Sequence, residues 1–283
     1  MNQSPKVVRN ISDLRKIAEE WRQAGKTIAL VPTMGALHAG HISLVDLGRK
    51  KADKVVVSIF VNPMQFAPNE DLSRYPRDES GDLNKLAQAG ADLVWSPSVE
   101  EMYPKGFSAE VKPGGAAADL EGAFRPHHFA GVATVCCKLF NQVTPNIAIF
   151  GEKDYQQLIV LRQMVHDLDM PLRIIGAPTT REKDGLALSS RNTYLSEAER
   201  RIAPTLYAVV SEAALQVASG MSAETAASDA GAKLLAAGFD KIDYIEVRDA
   251  ETLGEPSTTA DCPLRILAAA WLGKTRLIDN VAI

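Results

Sequence analysis

The first two thirds of the chain alternate between two hydrophobic patterns. Short apolar runs have the length of buried strands, and most are followed by stretches with apolar residues three or four positions apart. The strand-like runs are TIALV (27–31), KVVVSIFV (54–61), ADLVW (91–95), NIAIF (146–150) and LRIIGA (172–177). The helix-like stretches are SDLRKIAEEWRQAG (12–25), HISLVDLGRKKA (41–52), DLNKLAQAG (82–90) and DYQQLIVLRQMVHDL (154–168). This alternation predicts right-handed βαβ units and a parallel sheet, an α/β fold.

The pattern changes after about residue 185. Residues 196–220 and 222–238 are Ala-rich and helical in pattern, and residues 240–251 and 263–283 look like strands. We therefore predict a parallel-sheet domain flanked by helices over residues 1–185 and a smaller α+β C-terminal domain over residues 186–283. At the other end of the chain, Ser12 or Asp13 is the expected N-cap of the first helix, and Gly25 is its expected stop signal.

Composition narrows the function classes. The 283 residues carry a net charge of −4, which argues against broad nucleic-acid binding. No apolar run approaches the roughly 18 residues of a membrane span, and MNQSPKVVRN lacks the apolar core of a signal peptide. The three cysteines form neither a disulfide framework nor a zinc pattern, so core packing is their expected role. These features predict a cytoplasmic protein with no membrane or nucleic-acid partner.

The stretch PTMGALHAGH (32–41) follows what reads as the first strand of the parallel core. Ligands of open parallel sheets bind beyond the carboxyl ends of the strands, where helix N-termini carry positive dipole ends and unpaired N–H donors. Gly35 and Gly40 allow close approach of a ligand, and His38 and His41 should share one face of the first helical turn. Zinc ligation and simple packing are the alternatives. Zinc would need a third ligand, whereas the flanking glycines and the strand exit favour a phosphate site.

Three further turns have chemistry that suits the same ligand. FGEKDYQQ (150–157) offers Lys153 as a point charge, and KDGLALSSRN (183–192) offers a donor cluster at Ser189, Ser190 and Arg191. In VNPMQF (61–66), Gln65 could orient a carboxylate without an ion pair that would stabilise its ground state. Two long polar segments, residues 62–82 and 112–129, are expected to cover a site.

Six segments occur in the order VPTMGALHAGH, VNPMQF, SRYPRD, LEGAFRPHHFAGV, FGEKDYQQ and DGLALSSRN. With them the chain closely resembles the pantoate–β-alanine ligase (pantothenate synthetase) family over roughly residues 5–280. The resemblance implies a Rossmann-like domain with a smaller C-terminal lid, a homodimer, ATP as co-substrate and Mg²⁺. It also implies that pantoate is activated as an adenylate, which β-alanine then attacks with release of AMP.

The resemblance implies roles for particular residues. His41 would be the proton donor, with His38, Lys153 and Arg191 as its catalytic companions. Gln65 and Gln157 would hold pantoate. The implied ATP-binding residues are Met34, Gly35, Ala36, Leu37, His38, Ala39, Gly40, His41, Gly151, Glu152, Lys153, Asp154, Thr180, Leu188, Ser189, Ser190 and Arg191.

Two positions depart from the family pattern. Thr180 stands where an apolar residue usually contacts adenine, and ESGD (79–82) replaces a run of consecutive acids. Asp82 remains the candidate residue on the magnesium side, although the ATP phosphates and water could hold most of the metal. A nucleotidyltransferase that stops at a nucleotide-linked product and a catalytically silent nucleotide-binding regulator are the alternative functions.

Overall fold

A computed structural model describes residues 5–68, 70–256 and 262–283. Residues 1–4, which belong to the stretch that lacks a signal-peptide core, and position 69 of the predicted loop 62–82 lie outside these ranges. The chain divides into two units, residues 1–152 with 160–178 and residues 153–159 with 179–283. The sequence-based division between residues 185 and 186 stays a prediction.

A six-stranded parallel sheet forms the centre of the first unit, as the alternating pattern predicted. Its strands are β1 (Lys6–Val8), β2 (Ile28–Thr33), β3 (Lys54–Ile59), β4 (Leu93–Trp95), β5 (Ile147–Gly151) and β6 (Arg173–Ala177). The strand order is β1-β4-β3-β2-β5-β6. β3 and β4 lie in order on one side of β2, and β5 and β6 lie in order on its other side. The switch point of the sheet therefore lies between β2 and β5, where ligands of such sheets bind.

Helices cover both faces of this sheet. They are α1 (Ile11–Gln23), α2 (Ala39–Lys51), α3 (Glu79–Ala89), α4 (Val99–Met102), α5 (Glu121–Phe124), α6 (His128–Val143) and α7 (Tyr155–Asp167), which begins in the second unit. Ala29 and Val31 of β2 pack with Leu44 and Val45 of α2. Because neighbouring strand residues point to opposite faces, Ile28 and Leu30 fill the other side, where α6 contacts β2.

Several boundaries differ from the sequence-based predictions. Asn10, rather than Ser12 or Asp13, caps α1, since its side chain accepts a hydrogen bond from the Asp13 N–H at 2.9 Å. The stretch 27–31 is not the first strand of the core, because the short β1 precedes it and pairs with β4. The predicted loop 112–129 contains α5 and the start of α6.

The second unit has a three-stranded antiparallel sheet with helices on one face, as predicted for the C-terminal part. Its elements are α8 (Glu197–Ile202), α9 (Thr205–Ala218), α10 (Ala223–Ala237), β7 (Lys241–Asp249), β8 (Leu264–Leu272) and β9 (Thr275–Ala282). The helical stretch predicted over 196–220 is split in two at Pro204, which lacks an N–H. The helices α9 and α10 bury Ile266, Ala268 and Leu277 of the sheet.

The described ranges contain no helix that combines the length and the apolar character needed to cross a membrane. In the same residues the three cysteines form no disulfide, and Cys136 is buried in α6 as expected for core packing.

We predict that Gly131→Ala destabilises the first unit. A Cβ on Gly131 of α6 would lie 2.3 Å from the Met64 carbonyl oxygen and 2.7 Å from the Gln65 Cα. Overpacking of this kind costs about 1–3 kcal/mol, and alanine's better helix propensity offsets up to about 1 kcal/mol of it. Urea unfolding should therefore show a free energy of unfolding lower by about 1–2 kcal/mol.

Gly114→Ala is the matched control. Nothing lies within 4 Å of a Cβ at this exposed glycine, so the change should stay within about 0.5 kcal/mol of wild type. Equal stability of the Gly131→Ala variant and wild type would refute the close packing of α6 on residues 63–65.

Candidate active site

The loop between β2 and α2 has a backbone that few residues adopt. Gly35 and Ala36 have φ values of +80° and +50°. A Cβ on Gly35 would lie 3.1 Å from the Asp82 carboxylate and 3.2 Å from Ile59, so the space there admits glycine and little else. The loop therefore turns sharply at the carboxyl end of the central strand, where the sequence predicted close approach to a ligand.

Asp82 in the first turn of α3 holds this loop. Its Oδ2 accepts the Ala36 N–H at 2.8 Å and its Oδ1 accepts the Leu37 N–H at 2.7 Å. The side chain is only 1% exposed, and burial raises the pKa of the Asp82 carboxyl although these two hydrogen bonds and Lys85 oppose the shift. Both oxygens thus serve the loop, and a role of Asp82 toward magnesium stays a prediction.

His38 and His41 cap α2 reciprocally. The Gly40 N–H donates to His38 Nδ1 at 3.2 Å, and the His38 N–H donates to His41 Nδ1 at 3.3 Å. The rings lie 4.1 Å apart, although His38 is the N-cap residue rather than part of the first turn. Because each Nδ1 acts as an acceptor, each neutral ring carries its proton on Nε2. The pair therefore presents N–H donors at a helix N-terminus, which is the chemistry of an anion site.

Gln65 lies beside the same loop. Its Nε2 is 3.2 Å from Met34 Sδ, and its Oε1 accepts from Asn62 Nδ2 at 3.1 Å. Asn62 is itself oriented, since its Oδ1 accepts the Tyr103 hydroxyl at 2.7 Å and its Nδ2 also donates to the Gly131 carbonyl. This network turns the N–H donors of the Gln65 amide toward Met34.

The backbone of Gln65 is held by residues that the sequence reasoning missed. Its carbonyl oxygen lies 3.0 Å from His128 Nδ1 and 3.4 Å from Arg125 Nη2. Arg125 also forms a two-pronged ion pair with Glu70, at 2.8 and 2.7 Å. The sequence offered only the segment RPHHF, in which nothing marks the half-buried His128 rather than the exposed His127 as the partner of the Gln65 carbonyl.

The first unit thus gathers residues 34–41, Gln65 and Asp82, and it places Gly151 and Glu152 at the end of the neighbouring strand β5. Within the described residues, no three His, Cys, Asp or Glu side chains group into a candidate metal site. The zinc alternative for the two histidines therefore finds no third ligand there.

The second unit contains the other predicted site residues, on two segments. Lys153 Nζ lies 3.7 Å from the Asp154 carboxylate, and Gln157 follows on α7. The Leu188 N–H donates to the Thr180 carbonyl at 3.0 Å, so residues 180–188 form a closed turn. After it, Ser189 caps a 3₁₀ turn over Ser190–Tyr194 and accepts the Arg191 N–H.

A model of the pantoate-β-alanine ligase family matches residues 6–282. The chain belongs to this family. A pantothenate synthetase of Mesorhizobium japonicum is 54% identical over 279 residues, which cover 99% of this chain and 98% of that protein. One from Caulobacter vibrioides is 52% identical over 282 residues, covering 99% of each.

Solved structures of the family agree. A pantothenate synthetase of Thermus thermophilus matches with a TM-score of 0.90 and 45% identity over 98% of both chains. The pantoate-β-alanine ligase of Francisella tularensis, crystallised with β-γ ATP and β-alanine, matches with a TM-score of 0.83 and 35% identity over 98% of this chain and 97% of that one. The predicted α/β fold class is confirmed, and the chain is a ligase that forms pantothenate.

We predict that His128 makes stability fall in mild acid. Burial, with a contribution from Arg125, lowers the pKa of His128 from 6.5 to about 4, against the opposing pull of the Gln65 carbonyl, Glu121 and Glu70. The unfolded chain therefore binds a proton first as pH falls, and stability is lost between about pH 6.5 and 4. The loss should be about 2 kcal/mol, below the roughly 3 kcal/mol of a full shift because the ring is partly exposed.

Urea unfolding at about pH 7.5 and about pH 4.5 measures this loss. The loss in wild type should exceed that of the His128→Gln variant by about 2 kcal/mol. His127→Gln, a change at the exposed neighbouring histidine, is the control. Its free energy of unfolding should fall between the two pH values by as much as that of wild type. Parallel pH profiles for wild type and His128→Gln would contradict the neutral state of the half-buried His128.

Proposed function

We propose that the chain joins (R)-pantoate to β-alanine in two steps, through an enzyme-bound pantoyl adenylate formed from ATP. The observation that supports this most is the His38–His41 pair at the N-terminus of α2, beside the switch point of the sheet. The Francisella tularensis relative crystallised with β-γ ATP and β-alanine supports the same two substrates here.

In the first step a pantoate carboxylate oxygen attacks the α-phosphorus of ATP, and the bond from that phosphorus to the bridging oxygen breaks as pyrophosphate leaves. In the second step the β-alanine amine attacks the activated carbonyl carbon. The amide bond forms, the amine loses its proton, and AMP leaves with the carboxylate oxygen. Two anions meet in the first step, so neutralising charge and aligning the reactants lower its barrier.

We assign charge neutralisation to donors that face ATP. The Nε2–H groups of His38 and His41 are suited to phosphate oxygens because their Nδ1 atoms are engaged by the backbone. Lys153 and Arg191 add positive charge, and Ser189 and Ser190 add hydroxyl donors. Residues 34–41, Gly151 to Asp154, Thr180 and Leu188 complete the proposed ATP-binding set.

We assign pantoate to Gln65 and Gln157. The amide of Gln65 has its oxygen turned to Asn62 and its nitrogen toward Met34 Sδ, and we place the carboxylate or hydroxyl oxygens of the substrate on that nitrogen side. An amide can align the carboxylate without the ground-state stabilisation that an arginine would add.

Magnesium enters the proposal as part of Mg–ATP. Both oxygens of Asp82 accept backbone N–H groups, and no cage of three candidate ligands occurs among the described residues. The ATP phosphates and water suit Mg²⁺ as its main ligands. The homodimer, the C-terminal lid and the cytoplasmic location stay predictions from the sequence and the family resemblance.

We expect purified protein to exchange labelled pyrophosphate into ATP only when pantoate is present. Adding β-alanine should then consume the amine and release AMP in equal amounts. A product that retains the nucleotide would favour a simple nucleotidyltransferase instead. ATP binding by calorimetry without any turnover would favour a silent regulator, and either result would overturn the proposal.

Substitutions should separate the two substrates. His41→Ala or Lys153→Ala should slow single-turnover adenylate formation by at least about 100-fold, the scale for losing one electrostatic contact in the transition state. Gln65→Ala should raise the KM for pantoate while the Kd for ATP stays near that of wild type. Near-normal rates of adenylate formation in His41→Ala and Lys153→Ala would refute the roles of these two residues. Weakened ATP binding with normal pantoate affinity in Gln65→Ala would refute the placement of Gln65.

A further inference from the structure

Two adjacent polar residues of the edge strand β9 are buried and have no role in the chemistry above. Asp279 and Asn280 are 4% and 5% exposed. Neighbouring residues of a strand point to opposite faces of the sheet. Asp279 is opposite Ala268 of β8, on the face that α9 and α10 cover, and Asn280 is opposite Leu267 on the other face. The pair can therefore hold two different segments of the second unit.

Asn280 holds the turn that carries Lys153. Its Nδ2 donates to the Lys153 carbonyl oxygen at 2.9 Å. Its Oδ1 accepts from Arg265 Nη1, which fixes the amide so that the N–H side faces Lys153. The Arg265 guanidinium in turn lies 3.8 Å from the centre of the ring of Tyr155, which follows Lys153 closely along the chain. Three consecutive contacts thus connect β9 and β8 to the Lys153–Tyr155 turn.

Asp279 holds the base of the 180–191 segment. Its carboxylate accepts from Arg181 Nη1 at 2.6 Å and from Nη2 at 2.8 Å. Arg181 also donates to the Gly185 carbonyl at 3.1 Å and lies 3.6 Å from the centre of the Tyr207 ring. Because Arg181 follows Thr180 and pairs with Ala187 in a β-bridge, this contact holds the closed turn that precedes Ser189.

We propose that Asp279 and Asn280 are positioning residues that fix the Lys153 turn and the Thr180–Arg191 segment relative to each other through one strand. The pair contacts the backbone of Lys153 and the side chain of Arg181, so it sets the geometry of the phosphate-facing groups without contacting substrate. This inference rests on the proposed role of both segments in ATP binding. Buried ion pairs add little net stability, which leaves orientation as their main effect.

The test uses isosteric substitutions in the full chain. Asn280→Asp keeps an acceptor for Arg265 but has no N–H for the Lys153 carbonyl. Asp279→Asn keeps the shape and loses the charge that Arg181 pairs with. Each should raise the Kd for ATP by calorimetry and the KM for ATP by about 10-fold, since a small misplacement of binding groups is costly. For Asp279→Asn the KM for pantoate should stay within about 2-fold of wild type, because the Thr180–Arg191 segment holds neither Gln65 nor Gln157.

Asp243→Asn is the matched control. Asp243 is a buried carboxylate of the same sheet, and it accepts from Arg276 Nε at 2.7 Å and from Trp271 Nε1 at 3.0 Å. Asp243→Asn should lower the melting temperature about as much as Asp279→Asn and Asn280→Asp do. It should leave the KM values for ATP and for pantoate unchanged. A similar rise in the KM for ATP in this control would reduce Asp279 and Asn280 to general structural residues.

The remaining outcomes also decide the proposal. Wild-type ATP affinity in Asn280→Asp overturns it, and so does loss of the folded state in both isosteric variants, because positioning residues leave the fold intact. If wild type shows no pantoate-dependent exchange, the proposed function fails. The calorimetric ATP affinity still tests this inference in that case.

Discussion

The candidate site depends on one carboxylate that accepts two consecutive backbone N–H groups. Asp82 binds the Ala36 and Leu37 amides where the chain turns with positive φ at Gly35 and Ala36. Such a turn is strained for alanine and needs partners that fix it. With the turn fixed, Leu37 enters the core and His38 becomes the N-cap of α2. The donor pair formed by His38 and His41 follows from this backbone geometry.

Features with a strong local signal could be predicted from the sequence. The β-branched run 54–61 became β3, and the pattern of residues 263–283 became the hairpin of β8 and β9. The proximity of His38 and His41 follows from their three-residue spacing next to a helix start, and the structure confirms it. Two local features predicted a ligand site in this loop. One is the end of a parallel strand, where ligands bind, and the other is Gly35, whose backbone conformation only glycine readily adopts.

Other features have no local signal. The helix α6 is buried on most of its surface, and its stretch VATVCC is equally suited to a strand. The three-residue β1 gains its identity only from pairing with β4. The contacts of Tyr103 with Asn62 and of His128 with Gln65 join positions 41 and 63 residues apart. Spacing along the chain cannot reveal such pairs.

Each unit holds a segment that carries a proposed site residue by its peptide carbonyl. In the first unit His128 and Arg125 bind the carbonyl of Gln65, and in the second unit Asn280 binds the carbonyl of Lys153. A bond to the carbonyl fixes where the side chain begins without itself occupying the amide or ammonium group. Residues that hold the backbone can therefore be distant in sequence from the residue they hold, and side-chain chemistry alone does not identify them.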